Sequence, residues 1–192
     1  MGISLRKRFV YAVSLTVFAA LAATAYASDR GKNIKLKDDC DPATFNDVLG
    51  PGACIGHGET TFADFIGQVF ATGAADEWEF DPDETKEKAG RSVNGRNEGG
   101  ETHSFTPVKK FGGGFVDVLN QGKEPLDECA AKDENGDPIP NPEEPGTFFP
   151  APSTLGTFVP AGTNGPAMKL EKGVNRFQCC IHPWMRTTIV AK

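Results

Sequence analysis

The sequence predicts a mainly β, sandwich-like domain with one or two short helices on its N-terminal side. Three observations predict it. Apolar residues recur at helical spacing only between about residues 42 and 71. After Gly73 the chain breaks into short alternating or β-branched runs separated by Gly, Pro and Asn turn signals. The length, 192 residues, suits one domain with a proper hydrophobic core and hardly two.

The first segment is an address rather than structure. Arg6, Lys7 and Arg8 form a basic head, Phe9 to Ala25 is almost wholly apolar or small, and Ala25-Tyr26-Ala27 is a small-x-small cleavage pattern. Residues 1–27 therefore read as a cleaved signal peptide rather than an uncleaved anchor, because the apolar run is short and polar residues follow at once. The chain is expected to be exported, periplasmic or extracellular.

Residues 28–75 read as an N-terminal helical extension, polar and mobile as far as Lys37. Asp41 and Pro42 start a short helix through Leu49, which Gly50-Pro51-Gly52 ends. Cys40 and Cys54 flank this unit and are the preferred disulfide pair. Thr60 or Thr61 caps a second helix to about Ala71, with Phe62, Phe65, Ile66, Val69 and Phe70 at helical spacing.

Residues 76–192 supply the strands. Trp78 and Phe80 alternate with acids, Ser92 to Asn97 leads into the turn Asn97-Glu98-Gly99-Gly100, and His103 to Thr106 has alternating faces. Gly112-Gly113-Gly114 precedes an apolar segment to Asn120. Residues 122–153, rich in Pro, Gly, Asp and Glu, read as a long acidic surface insertion. Gly156 to Pro160, Ala167 to Leu170, Arg176 to Cys180 and Thr187 to Ala191 complete the set, the last a β-branched closing strand.

Charge narrows the partners. Without residues 1–27 the chain keeps seventeen Lys and Arg against twenty-six Asp and Glu, a net charge of −9. Such a field repels nucleic acid and anionic membrane surfaces, and it would steer a basic partner such as a small redox protein. A monomer with peripheral or no membrane contact is expected.

Five cysteines, at 40, 54, 129, 179 and 180, are an odd number in an exported chain, so at least one sulfur does something other than pair. The segment Cys179-Cys180-Ile181-His182-Pro183-Trp184-Met185 places thiolate, imidazole and thioether within seven residues. With a second imidazole from a distant strand, the donor set is that of a mononuclear blue-copper electron-transfer site. Soft sulfur donors favour Cu(I), imidazoles suit both oxidation states, and a trigonal arrangement suits neither perfectly, so an electron moves with little reorganisation. Only His57 and His103 can supply that imidazole; His57 lies in the loop Gly56-His57-Gly58, whereas His103 follows a turn and opens a strand.

Taken together, Trp78-x-Phe80-x-Pro82, Gly90-Arg91-Ser92-Val93, Asn97-x-Gly99, Thr102-His103-Ser104-Phe105 and the ending Cys179-x-x-His182-Pro183-x-Met185 resemble plastocyanin-like cupredoxins, the blue type 1 copper proteins. The resemblance spans roughly Asp76 to Lys192. It implies a Greek-key β-sandwich, one copper ion, and the ligands His103, Cys179, His182 and Met185. Only Pro183 and Trp184 separate His182 from Met185, fewer residues than plastocyanin places there. Cys180 neighbours Cys179 on a strand end and points the opposite way, which leaves it free to pair with Cys129. Electrons would pass through an exposed edge of His182, flanked by Pro183 and Trp184.

No Gly-x-Ser-x-Gly elbow and no supported acid pair suggests hydrolysis, so the chain is not read as an enzyme. A copper-storing, copper-sensing or copper-delivering protein, or a metal-free interaction module, is the alternative to an electron carrier.

Overall fold

The computed structural model describes residues 31–192; the predicted signal peptide lies outside them. Ten strands are present among the described residues: β1 (Lys32–Lys37), β2 (Glu79–Asp81), β3 (Glu84–Glu87), β4 (Ser92–Asn97), β5 (His103–Ser104), β6 (Thr106–Val108), β7 (Phe158–Val159), β8 (Met168–Lys169), β9 (Gly173–Gln178) and β10 (Arg186–Ala191). One sheet runs β2-β1-β4-β8, the second β3-β10-β9-β6, and β5 pairs with β7. β1 with β4, and β10 with β3, are parallel; the remaining pairs are antiparallel. The result is a mainly β sandwich with a few short helices.

Alternation builds the interior. Ile34 and Leu36 of β1, Val93 of β4, and Ile189 and Ala191 of β10 all point inward and are buried. Phe105 lies between the sheets, with its ring stacked on Phe177 at 4.4 Å and tilted against Phe80 at 5.6 Å.

β1 departs from the sequence reading, in which this stretch is polar and mobile. Lysine and asparagine at four of its six positions hide the period-2 pattern, yet Ile34 and Leu36 sit at alternate positions and are fully buried. The segment called a helical extension therefore contributes an interior strand of the first sheet. Gly31–Lys192 fold as one compact unit.

The helices are α1 (Pro42–Leu49), α2 (Phe62–Thr72) and α3 (Pro152–Leu155). Asp41 caps α1 through the amides of Ala43 and Thr44, and Thr61 caps α2 through the amide of Asp64. Gly73 ends α2 in the left-handed region that favours glycine, at φ 83°. Phe65 and Val69 are the buried face of α2; Phe70 points to solvent. No helix among the described residues is long and apolar enough to cross a membrane.

The insertion is ordered by contacts that its composition conceals. Isolated bridges join Val116 to Thr147, Ala130 to Pro150 and Pro140 to Phe148. Leu126, Cys129 and Ala130 bury against Val108, Phe115 and Cys180 in a small second core. A Cys129–Cys180 disulfide ties it to the end of β9, and Cys40–Cys54 closes the loop around α1. Cys179 is the free cysteine among the described residues. Gly114 passes so close to this junction that a Cβ would stand 2.0 Å from the Cys180 carbonyl oxygen.

Candidate metal centre

β5 opens with His103, Cys179 follows the last residue of β9, and His182 lies in the short turn before β10. Register between β9 and β10 brings Arg186 opposite Gln178 and closes the turn. Two backbone bonds hold it, from the Cys179 amide to the Met185 carbonyl at 2.9 Å and from the Met185 amide to the His182 carbonyl at 3.0 Å. Ser104, next to His103, fixes the two strands to each other by accepting from the Cys180 amide at 2.8 Å.

Three donor atoms converge. The Nδ1 atoms of His103 and His182 are 3.3 Å apart, and Cys179 Sγ lies 4.0 Å from His103 Nδ1. Taken one per residue, the donors of His103, Cys179 and His182 fall within 4.8 Å of one another, and all three residues are buried. A trigonal ion with bonds of about 2.0 Å to nitrogen and about 2.3 Å to sulfur would separate these atoms by about 3.5 and about 3.7 Å. Spacing and donor chemistry both fit an ion that takes two imidazoles and a thiolate. The backbone amides of Ser104 and His182 point at Sγ from 3.4 and 3.5 Å, where they favour a thiolate.

Met185 is buried in the same core as Cys179, and its backbone is tied to both Cys179 and His182. His57 is exposed on its loop and is not among the converging donors.

Each imidazole is backed by a carboxylate that sequence reasoning did not find. His103 Nε2 is 2.8 Å from Asp38 Oδ2, with both side chains fully buried. His182 Nε2 is 3.7 Å from Glu101 Oε2, and Trp78 Nε1 donates to that same oxygen at 2.6 Å. Asp38 also accepts the amides of Cys40, Gly100 and Glu101. Glu101 stands two residues before His103, a spacing that could have flagged it; Asp38, one acid of a polar run, carries no such signal.

Electrostatics follow from this packing. Burial alone would push the Asp38 carboxyl up, but the hydrogen bond and charge of His103 bring it down to about 2. Burial would push His103 down, yet Asp38 and Cys179 raise it to about 10. Burial likewise opposes ionisation of Cys179, and the neighbouring His103 and His182 outweigh it, holding the thiol well below 9.0. For Glu101, burial wins and raises the carboxyl, against His182 and Trp78.

The expected exposed edge of His182 is absent: the ring is 2% exposed. Phe65 of α2 meets it edge-on at 5.8 Å, and Trp184 and Trp78 flank it at 5.5 and 6.4 Å. Phe65 and Trp78 bring part of that cover from positions far away in sequence. A groove lined by Leu49, Phe62, Phe65 and Val118 leads down to Glu101 and His182.

No family model matches the chain, and no curated protein is significantly similar to it. Similar solved structures include a purple cupredoxin from Nitrosopumilus maritimus, at 16% identity and a TM-score of 0.34, covering 62% of this chain and 86% of that one. Amicyanin from Paracoccus versutus is similar at 15% identity and a TM-score of 0.34, covering 62% and 77%. An oxidised point mutant of amicyanin, at 12% identity and a TM-score of 0.35, covers 88% of each chain.

Proposed function

We propose that this chain is an exported, mononuclear type 1 copper protein that carries single electrons and performs no substrate chemistry. The observation that carries this reading is the convergence of two imidazole nitrogens and one thiolate sulfur in a buried pocket. His103, Cys179 and His182 would hold the ion, with Met185 as a weaker thioether ligand. Bound there, copper would supply exchange of one electron between Cu(I) and Cu(II).

The protein's own residues keep the accompanying rearrangement small. Sγ is held by two amides, His103 by Asp38 on its outer nitrogen, and the turn by two backbone bonds, while Glu101 faces the outer nitrogen of His182. Donors fixed in this way need little movement when the charge changes. Burial excludes water, so transfer is outer-sphere and leaves through the groove above His182 rather than through a bare imidazole. The net charge of −9 without residues 1–27 favours a basic redox partner.

The test is stopped-flow oxidation and reduction of the copper-loaded protein in the presence of a copper chelator. An electron carrier bleaches and recovers its colour repeatedly with the metal retained. Slow electron exchange accompanied by loss of copper to the chelator would move the assignment to copper storage or delivery.

A further inference from the structure

We propose that Asp38 and Glu101 are positioning residues which clamp the two imidazoles from behind and bias the bound ion toward Cu(II). This rests on the copper reading above. Asp38 Oδ2 lies 2.8 Å from His103 Nε2, and Glu101 Oε2 lies 3.7 Å from His182 Nε2. In both histidines the inner nitrogen, Nδ1, is the one that faces its partner across the pocket. At His103 the outer nitrogen donates its proton to Asp38, and at His182 it faces the Glu101 carboxylate across 3.7 Å, so that both Nδ1 lone pairs are aimed inward.

The clamp acts in two ways that share a sign. A carboxylate on the far nitrogen makes the ring a stronger donor, which favours the more highly charged ion. Two acidic groups close behind the ligands also add negative potential in a site that water does not screen. Cu(II) gains more than Cu(I) from each.

Both carboxylates are themselves held in place. Asp38 accepts three backbone amides besides the imidazole, which anchors it at the end of β1. Glu101 is fixed by the Trp78 indole at 2.6 Å. Neither group is an idle surface acid: the Asp38 side chain is fully buried and that of Glu101 is 9% exposed. The N-terminal segment thus contributes to the site through Asp38, beyond supplying β1 to the first sheet.

The experiment measures Cu(II) and Cu(I) dissociation constants by competition for the parent chain, Asp38→Asn and Glu101→Gln, with far-ultraviolet circular dichroism as the check on folding. The clamp predicts Cu(II) binding weakened about 10- to 100-fold in Asp38→Asn, Cu(I) binding weakened less, and a smaller change of the same sign in Glu101→Gln. A merely structural role would weaken both oxidation states equally, and that result overturns the proposal, as does an unchanged ratio. If Asp38→Asn does not fold, Glu101→Gln decides alone, because glutamine keeps an oxygen for Trp78. A parent chain that binds neither ion overturns the copper reading and the clamp with it.

Discussion

Removing the Cys129–Cys180 bridge should cost about 4 kcal/mol of stability without touching the metal centre. The two cysteines are 51 residues apart in sequence. Closing a loop of that length removes about 14 cal/mol/K of chain entropy from the unfolded state, which is about 4 kcal/mol at room temperature. The same relation gives about 3 kcal/mol for the loop of separation 14 closed by Cys40–Cys54. The variant must be the double Cys129→Ala/Cys180→Ala, because a single substitution leaves a thiol free to attack or pair with Cys179. Alanine adds no buried polar group, and both positions are fully buried, so lost packing adds to the entropic cost. Equilibrium unfolding of the metal-free protein in urea reads the change. With a slope of about 2 kcal/mol/M, the midpoint falls by about 2 M. Copper binding should persist, since Sγ of Cys179 takes its hydrogen bonds from Ser104 and His182 and not from the bridge. A loss under about 1 kcal/mol would refute the loop argument and assign the order of the insertion to its own small core.

Three further outcomes are expected. In the metal-free protein His103, raised to about 10, still holds its proton above pH 9.0, where the unfolded chain has lost the protons of both groups and so binds one fewer than the Cys179–His103 pair. Stability should therefore fall as the pH rises from 9.0 to about 10. Urea midpoints from pH 5 to 10 check this, and a midpoint that does not fall above pH 9.0 contradicts the pairing. Phe105→Ala removes a fully buried ring stacked on Phe177 and should cost about 3–5 kcal/mol by the same unfolding assay. Thr61→Ala removes the hydrogen bond to the Asp64 amide at the start of α2 and should cost about 1 kcal/mol, with the helix frayed at Phe62 in amide exchange.

Local chemistry made much of the fold readable. Asp41 and Pro42 announce α1, Thr61 and the spacing of Phe62, Phe65, Ile66 and Val69 announce α2, and the β-branched run to Ala191 announces β10. The donor residues are close together in sequence except His103, which its turn and strand singled out. What was hidden depends on contacts between distant segments. β1 reads as polar because its lysines carry the outward face, and the insertion reads only as a long surface excursion because the disulfide and the few apolar residues that order it act across distant segments. Burial of His182 requires α2 to fold over the ligand turn, and nothing near His182 encodes that. Asp38 is an ordinary acid until β1 brings it behind His103.

Titration of the chain without residues 1–27 with Cu(II), followed by visible absorption and electron paramagnetic resonance, tests the central claim most directly. The account predicts one equivalent of copper and an intense thiolate-to-copper band, kept in Cys129→Ala/Cys180→Ala and lost in Cys179→Ala. A colourless complex, or a band that survives Cys179→Ala, would contradict it.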